Sequence, residues 1–290
     1  MLLNINPKNE TKKITSFIKK TLQDSGFEKV VIGLSGGVDS ATVFYLLKEA
    51  VSPENIIVAH LYYFESQMEE IELILKKTLI PKENVYELSI NPFVEAFQQA
   101  LPFRHSGEEE RRLQNLSASF MIERASGRAH SSLARMTDKV RLGNIMARIR
   151  MTILYDIAKK NNALVCGTEN KSELLLGYFT RFGDEASDFE PIQHLYKTQV
   201  YQLAKYLNIP QNIINKIPTA GLWPGQTDEN EFGFSYKEAD LVLYLYFERR
   251  RRVVEITKSF PNAKKIIDFV KKNSFKHHLP YTIKDELLIP

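Results

Sequence analysis

Residues 30–47 read VVIGLSGGVDSATVFYLL. An apolar, β-branched run breaks at a pair of glycines and resumes with the apolar spacing of a helix. A buried strand, a glycine turn and a helix in that order open a parallel α/β fold. Gly36 and Gly37 let the backbone turn sharply and leave its N–H groups exposed. The helix that starts near Asp39 adds the positive end of its dipole. The turn is therefore a ready anion site, with the Ser35 and Ser40 hydroxyls as further donors. It has neither the Gly-Lys-Ser/Thr of a Walker loop nor the G-x-G-x-x-G of a dinucleotide loop. Asp39 is the odd member. A carboxylate beside phosphates repels them unless a cation lies between, which implies Mg2+.

The same rhythm continues outward. Lys29 to Leu34 is predicted as a central strand, Ala41 to Glu49 as a helix, and NIIVAHLYY from Asn55 as a second strand. Met68 to Thr78 then reads as a helix and NVYELSI from Asn84 as a third strand. This βαβαβ order predicts a parallel sheet with right-handed crossovers. Ahead of it, Ile14, Phe17, Ile18 and Leu22 mark an amphipathic helix over 11–25 that ends near Gly26. Residues 104–136, dense in Arg, Ser and Glu, read as an insertion. A helix over Arg141 to Lys160, a strand in ALVCGT at 163–168, a helix over Thr198 to Leu207 and a helical C-terminal region follow. On the first of these helices Asn144, Arg148 and Tyr155 share one face, and Ile145, Ile149 and Ile153 are predicted as the buried stripe. Nothing divides the chain, so one domain over 1–290 is expected.

The 290 residues are 43% hydrophobic and 26% charged, with a formal charge of +4. That balance excludes a disordered chain and suits phosphorylated small molecules better than nucleic acid. The single cysteine, Cys166, lies inside an apolar strand and reads as core,. No signal peptide and no membrane-length apolar run is visible, so a cytoplasmic location is expected. The run ERRRRVVE at 248–255 reads as a solvated helix face. Trp223 and Phe232 bracket a loop that either packs or closes over a ligand.

In this setting SGGVDS resembles the pyrophosphate-binding (PP) loop of the ATP pyrophosphatase families, which adenylate a substrate and release pyrophosphate. Residues 141–192, RLGNIMARIRMTILYDIAKKNNALVCGTENKSELLLGYFTRFGDEASDFEPI, closely resemble the ammonia-dependent NAD synthetases. So do LYKTQVYQLAKYLNIP, PTAGLWPGQTDENEFGFSY and NSFKHHLP, and the resemblance runs from about Ile14 to Pro280. It implies an adenine nucleotide alpha hydrolase-like fold, a Rossmann-like parallel sheet flanked by helices. It implies that Gly33, Leu34, Ser35, Gly36, Gly37, Val38, Asp39 and Ser40 hold the ATP phosphates. Thr168 and Thr219 would also contact ATP, and Lys197 its phosphates. Asp39 and Glu173 would hold Mg2+, and with Lys197 they would be the catalytic residues. Arg148, Arg181, Asp188, Phe275 and Lys276 would meet deamido-NAD. The implied reaction adenylates deamido-NAD with ATP and then lets ammonia displace AMP to give NAD. A homodimer is implied, with no nucleic-acid or membrane partner.

Taken singly, Arg148 reads as a solvated arginine, Glu173 as an exposed helix-start carboxylate and Thr219 as a turn residue. Their joint occurrence in family order is what points to a site. There are four departures from the family pattern. Arg181 stands where many relatives have Lys, and Phe275 where many have His. AHLYYFESQ lacks a proline-containing stretch, and the insertion at about 104–136 has no counterpart and is expected to form an added surface subdomain, with a substrate lid or a dimer contact as the alternatives. Free ammonia is expected as nitrogen source, because the chain has no room for a glutaminase domain with its catalytic cysteine. Two rivals remain. Another PP-loop adenylating enzyme would need catalytic cysteines or a nucleic-acid domain, and a non-catalytic nucleotide-binding regulator would not need Asp39, Glu173 and Lys197 together.

Overall fold

The computed structural model describes residues 2–76, 78–100 and 129–278. Helix α1 (Pro7–Ser25) starts on the Asn6 side chain, which accepts the Asn9 N–H, and stops at Gly26 with φ of 74°,. It buries Ile14, Ile18 and Leu22 as its pattern predicts. Strand β1 (Lys29–Gly33), α2 (Val38–Ala50), β2 (Ile56–Tyr62), α3 (Met68–Leu75) and β3 (Val85–Ser89) follow in the expected order. Helix α4 (Asn91–Ala100) is an addition to the predicted elements. The predicted insertion lies outside the described residues up to 128, and from there the chain is in α5 (Ala129–Asn161), which leads into β4 (Ala163–Cys166). The rest is helical: α6 (Lys171–Leu176), α7 (Lys197–Tyr206), α8 (Gln211–Ile214), α9 (Asp228–Phe232), α10 (Tyr236–Leu243), α11 (Val253–Ile256) and α12 (Ala263–Asn273).

The strands pair in parallel in the order β3-β2-β1-β4. They read as continuous apolar runs because both faces of the sheet are covered. Val30, Ile32, Ile56, Val58 and Cys166 pack with α1, α2 and α7, while Val31, Ile57, Ala59 and Val165 pack with α5. Cys166 is 2% exposed, and burial holds its thiol well above the ordinary range, so it is core as predicted,. A separate cluster around Phe232, Tyr236, Val242 and Ile266 joins α9, α10, α11 and α12. The chain steps from β1 to β2 to β3, then returns to the other side of β1 for β4. That reversal opens a crevice at the carboxyl ends of β1 and β4, where the loops diverge.

Two predicted details are corrected. The fully buried stripe of α5 is Met146, Ala147, Ile157 and Ala158, whereas Ile145, Ile149 and Ile153 are only half-buried against it. Arg150, on the same face as Met146 and Ala147, reaches the sheet, its Nε donating to the Leu61 carbonyl at 3.0 Å. Burial lowers that guanidinium to about 10. The arginines at 249–252 are not on a helix. A π turn at Tyr244–Glu248 ends α10, and the next helix starts only at Val253.

The corrected stripe sets an expectation for stability. Met146→Ala removes a side chain with no exposure, at a cost of about 2–5 kcal/mol. Ile149→Ala, only half-buried, costs less than half of that, and urea unfolding of the two variants measures the difference.

Candidate active site

The crevice receives one carboxylate from each side. On the β1 side the backbone passes Gly36 at φ of 77° and enters α2 at Gly37, the N-cap, where no side chain caps the helix. The first-turn N–H groups of a thirteen-residue helix are therefore left to a ligand,. The turn is braced from within. The Ser40 hydroxyl donates to the Gly37 carbonyl at 3.1 Å and accepts the Ser35 N–H at 3.3 Å, and the Ser35 hydroxyl accepts the Gly37 N–H at 3.3 Å. Leu34 is held from both sides: its N–H donates to Ala59 O at 2.9 Å, and its carbonyl lies 3.0 Å from Nδ1 of the buried His60. The left-handed φ at 36 favours glycine, and a side chain there would also meet the movable carboxylate end of Glu70,.

On the β4 side Asn170 caps α6, accepting the N–H groups of Ser172 and Glu173, while the Glu173 carboxylate reaches back to the Asn170 N–H. This capping box fixes Glu173 in the first turn. The other end of the Asn170 amide crosses the crevice and donates to Asp39 Oδ1 at 3.0 Å. Lys197, 2% exposed, enters from the start of α7. Its Nζ donates to Asp39 Oδ2 at 2.5 Å and to Glu173 Oε1 at 3.1 Å, and lies 5.0 Å from the centre of the Tyr236 ring. Burial opposes the charge on Lys197, yet Asp39 and Glu173 outweigh it and the pKa stands above the ordinary value. Burial, seconded by Asp39, pushes Glu173 up to about 7 against the pull of Lys197,.

Two oxygens from separate loops thus converge on one cationic point. Among the described residues no group of three or more His, Cys, Asp or Glu side chains is arranged to hold a metal. A hard cation here would take this carboxylate pair plus oxygens of a bound phosphate, a ligand set that suits Mg2+. The donor chemistry fits.

The residues expected on the second substrate gather along 177–188. Arg148 is exposed, and both its Nε and Nη2 donate to the Arg181 carbonyl, at 3.2 and 3.1 Å. The Arg181 guanidinium lies 5.6 and 5.9 Å from the Phe182 and Phe275 rings. Lys276 Nζ donates to Gly177 O and Phe179 O, each at 2.7 Å, and burial lowers its pKa. Asp188 Oδ2 accepts the Val165 N–H at 2.7 Å, extending the edge of β4. Asn144 accepts the Thr180 hydroxyl at 2.9 Å and Tyr155 bonds Asp188, so the predicted face of α5 does meet this segment. Thr168 sits half-buried just beyond β4. Thr219 is exposed and its hydroxyl accepts the Gly221 N–H at 3.1 Å, the turn role its position predicts. Phe232 is 2% exposed and packs rather than covers. The last two residues of NSFKHHLP lie outside the described residues.

Several partners went unseen in the sequence. Asn170 had a legible signal, the N-x-x-E of a capping box. Asp240 did not: it accepts the Ser172 hydroxyl at 2.5 Å and the Thr198 N–H at 2.8 Å, and Ser172 in turn accepts the Lys197 N–H at 2.8 Å. Glu169 and Glu190 lie beside Thr168. Glu190 accepts the Glu169 N–H at 3.0 Å, Glu169 accepts from Gln193 at 2.9 Å, and the second Glu169 oxygen is buried without a partner among the described residues. Burial pushes Glu169 up to about 9 and Glu190 to about 8.

A family model described as NAD synthase matches residues 10–280. The NH(3)-dependent NAD(+) synthetase of Thermococcus kodakarensis is 39% identical over 272 residues, covering 92% of this chain and 93% of that protein. The one from Fusobacterium nucleatum is 35% identical over 285 residues, covering 97% and 98%. Among solved structures, the NMN synthetase of Francisella tularensis superposes with a TM-score of 0.72 at 30% identity, over 97% of this chain and 100% of that one. The NH3-dependent NAD synthetase of Campylobacter jejuni superposes with a TM-score of 0.70 at 29% identity and the same coverage.

Glu169 makes stability fall with pH. Its ordinary pKa is 4.5 and its folded value about 9, so between those limits the fold binds a proton that the unfolded chain has released. The contribution is intact below pH 4.5 and lost as pH rises through about 9, at up to about 1.4 kcal/mol per pH unit. Glu169→Gln flattens that slope in urea midpoints taken across the range, and Glu190 leaves a residual slope.

Proposed function

The chain belongs to the NAD synthase family, and from that premise we propose how its crevice makes NAD. It is a carbon–nitrogen ligase that amidates deamido-NAD with ammonia, using ATP as co-substrate. A carboxylate is a poor acylating agent. Its oxygen attacks the α-phosphorus of ATP, pyrophosphate leaves, and the resulting acyl adenylate carries AMP as a good leaving group. Ammonia then attacks the carbonyl carbon and expels AMP, leaving the amide. The chemistry needs positioning and charge neutralisation rather than a protein nucleophile, and the buried Cys166 plays no part,.

The observation that carries the residue assignment is the Lys197 ammonium shared by Asp39 and Glu173 at the mouth of an uncapped helix. In this reading residues 33–40 receive the phosphates on the first-turn N–H groups of α2 and on the Ser35 and Ser40 hydroxyls. Lys197 balances charge growing on the departing pyrophosphate, and Tyr236 and Asp240 hold it in place. Asp39 and Glu173 would hold Mg2+, which supplies charge neutralisation at the phosphates. Thr168 and Thr219 border the nucleotide. Arg148, Arg181, Asp188, Phe275 and Lys276 border deamido-NAD, with Arg181 and Lys276 meeting its anionic groups. Free ammonia is the nitrogen source, and the chain acts as one catalytic unit in the cytoplasm. No helix among the described residues is long and apolar enough to cross a membrane.

A homodimer is part of the same reading. Phe93 and Phe97, one turn apart on α4, are 50% and 46% exposed, and Val140 on the neighbouring α5 is 44% exposed. An apolar face of this kind supports an isologous contact between copies. Light scattering is expected to give a dimer for the intact protein and a monomer for Phe93→Asp/Phe97→Asp.

The reaction is tested by following pyrophosphate with ATP and Mg2+. Release is expected only when deamido-NAD is present, with NAD forming once ammonium is added and none forming from glutamine. Nicotinate mononucleotide is the control suggested by the Francisella relative, and it should be the poorer substrate. Lys197→Met is expected to lower kcat by about a hundredfold or more, and Arg148→Ala to raise KM for deamido-NAD while leaving that for ATP unchanged. Release without deamido-NAD would sink the reading.

A further inference from the structure

Arginines 249–252 take no part in the reaction, and the fold goes out of its way to gather them. Helix α10 does not stop but widens into a π turn at Tyr244–Glu248, an uncommon geometry that recurs at functional sites,. The chain then reverses. The Arg249 N–H donates back to Tyr244 O at 3.1 Å and the Arg251 N–H to Leu245 O at 2.9 Å. Between them Arg250 adopts φ of 52°, a left-handed backbone that favours glycine,. The result is an open cavity of about 660 Å³ lined by all four arginines, with Leu2, Leu245 and Glu255. Glu255 accepts Arg252 at 2.8 Å and lies 3.8 Å from Arg251. The Arg249 guanidinium lies 5.4 Å from the centre of the Tyr244 ring, and Arg250 has no carboxylate partner among the described residues.

The cavity lining therefore carries four arginines and one glutamate, with the Glu248 carboxylate also close to Arg249. A nucleic-acid face needs cations spread along a stripe, whereas here four consecutive arginines line one open cavity of small-molecule size,. Guanidinium forks match phosphate oxygens in pairs, and Leu2 and Leu245 supply a short apolar wall. The cavity is also joined to the crevice. Glu248, the last residue of the π turn and next to Arg249, accepts Lys171 Nζ at 2.6 Å and the Tyr196 hydroxyl at 2.8 Å. Lys171 starts α6, which carries Glu173, and Tyr196 directly precedes Lys197.

We propose that arginines 249–252 form a second, regulatory anion site for the di- or triphosphate group of a small phosphorylated metabolite, felt in the crevice through Glu248. The site is separate from the glycine turn, although the activity it regulates is the one proposed above. Drawing the arginines onto a phosphate group moves Glu248 relative to Lys171 and Tyr196, the two residues that lead into the carboxylate–lysine centre.

Calorimetry with inorganic tripolyphosphate on the intact protein tests this, with Arg250→Gln/Arg251→Gln as the variant, both positions lying outside the buried core. Two binding events per chain are expected in the unaltered protein. In the variant the arginine-cavity event weakens by about tenfold or more and the glycine-turn event persists. At saturating ATP, where competition in the crevice vanishes, tripolyphosphate is expected to lower kcat by about twofold or more in the unaltered protein only. A single event that the variant leaves unchanged would overturn the site. Two events with kcat unmoved would overturn its regulatory role. Tighter, steeply salt-dependent binding of a random single-stranded oligonucleotide, lost in the same variant, would replace the small anion by a nucleic-acid face. If instead the glycine-turn event is missing from both proteins while the arginine event stands, the reaction assigned above fails and the second site survives it.

Discussion

One buried ammonium group organises the crevice. Lys197 lies between Asp39 and Glu173, three ionisable groups with little access to water. Such a cluster is stable only when each charge has a partner, because an unpaired charge in the interior costs several kcal/mol. Removing Lys197 would leave two carboxylates facing each other without a counter-charge,. The three side chains come from the starts of α2, α6 and α7, so the ion cluster also ties together the three helices that border the crevice.

The cluster depends on polar partners that hold the helices in register. Asn170 serves two of its members at once, capping the helix of Glu173 with its oxygen and bonding Asp39 with its nitrogen. Asp240, wholly buried in α10, receives Ser172 and the Thr198 N–H, and so fixes the first turns of α6 and α7 against the C-terminal helices. Tyr236, on the same helix, presents its ring to the Lys197 ammonium and its hydroxyl to Asp228 at 2.9 Å. The C-terminal helical layer thus does more than cover apolar surface. It supplies the back wall that lets a lysine remain charged in the interior.

The sheet explains why these pieces meet at all. Paired residues of β1 and β4 are 134 positions apart in the chain, Ile32 beside Cys166 among them, but they are neighbours in space because the strand order reverses at β1. Loops leaving neighbouring strands at such a reversal part from each other, and the space between them is where an α/β sheet holds a ligand. The glycine turn and the Asn170 cap occupy the two sides of that space. The segment 177–188 is held by three residues from one face of α5, with the Arg148 guanidinium on the Arg181 carbonyl.

Much of this was legible in one dimension. The strand–turn–helix at 30–47, the succession of parallel strands, the core position of Cys166 and the shared face of Asn144, Arg148 and Tyr155 all follow from short-range periodicity and turn chemistry, which act within a few residues of chain. The family motifs, in order, named Asp39, Glu173 and Lys197. What the tertiary structure alone decided lies in contacts between distant segments. Sequence spacing rotated the buried stripe of α5 toward Ile145, Ile149 and Ile153, because no local pattern reveals that Arg150 bonds a carbonyl on β2. It placed the arginines at 249–252 on a helix, because a π turn and a left-handed Arg250 have no compositional sign. Taken alone, Glu173 read as an exposed carboxylate, and Asp240 and Glu169 carried no signal at all. Burial of a charge is set by what packs over it, and the residues that pack there come from elsewhere in the chain.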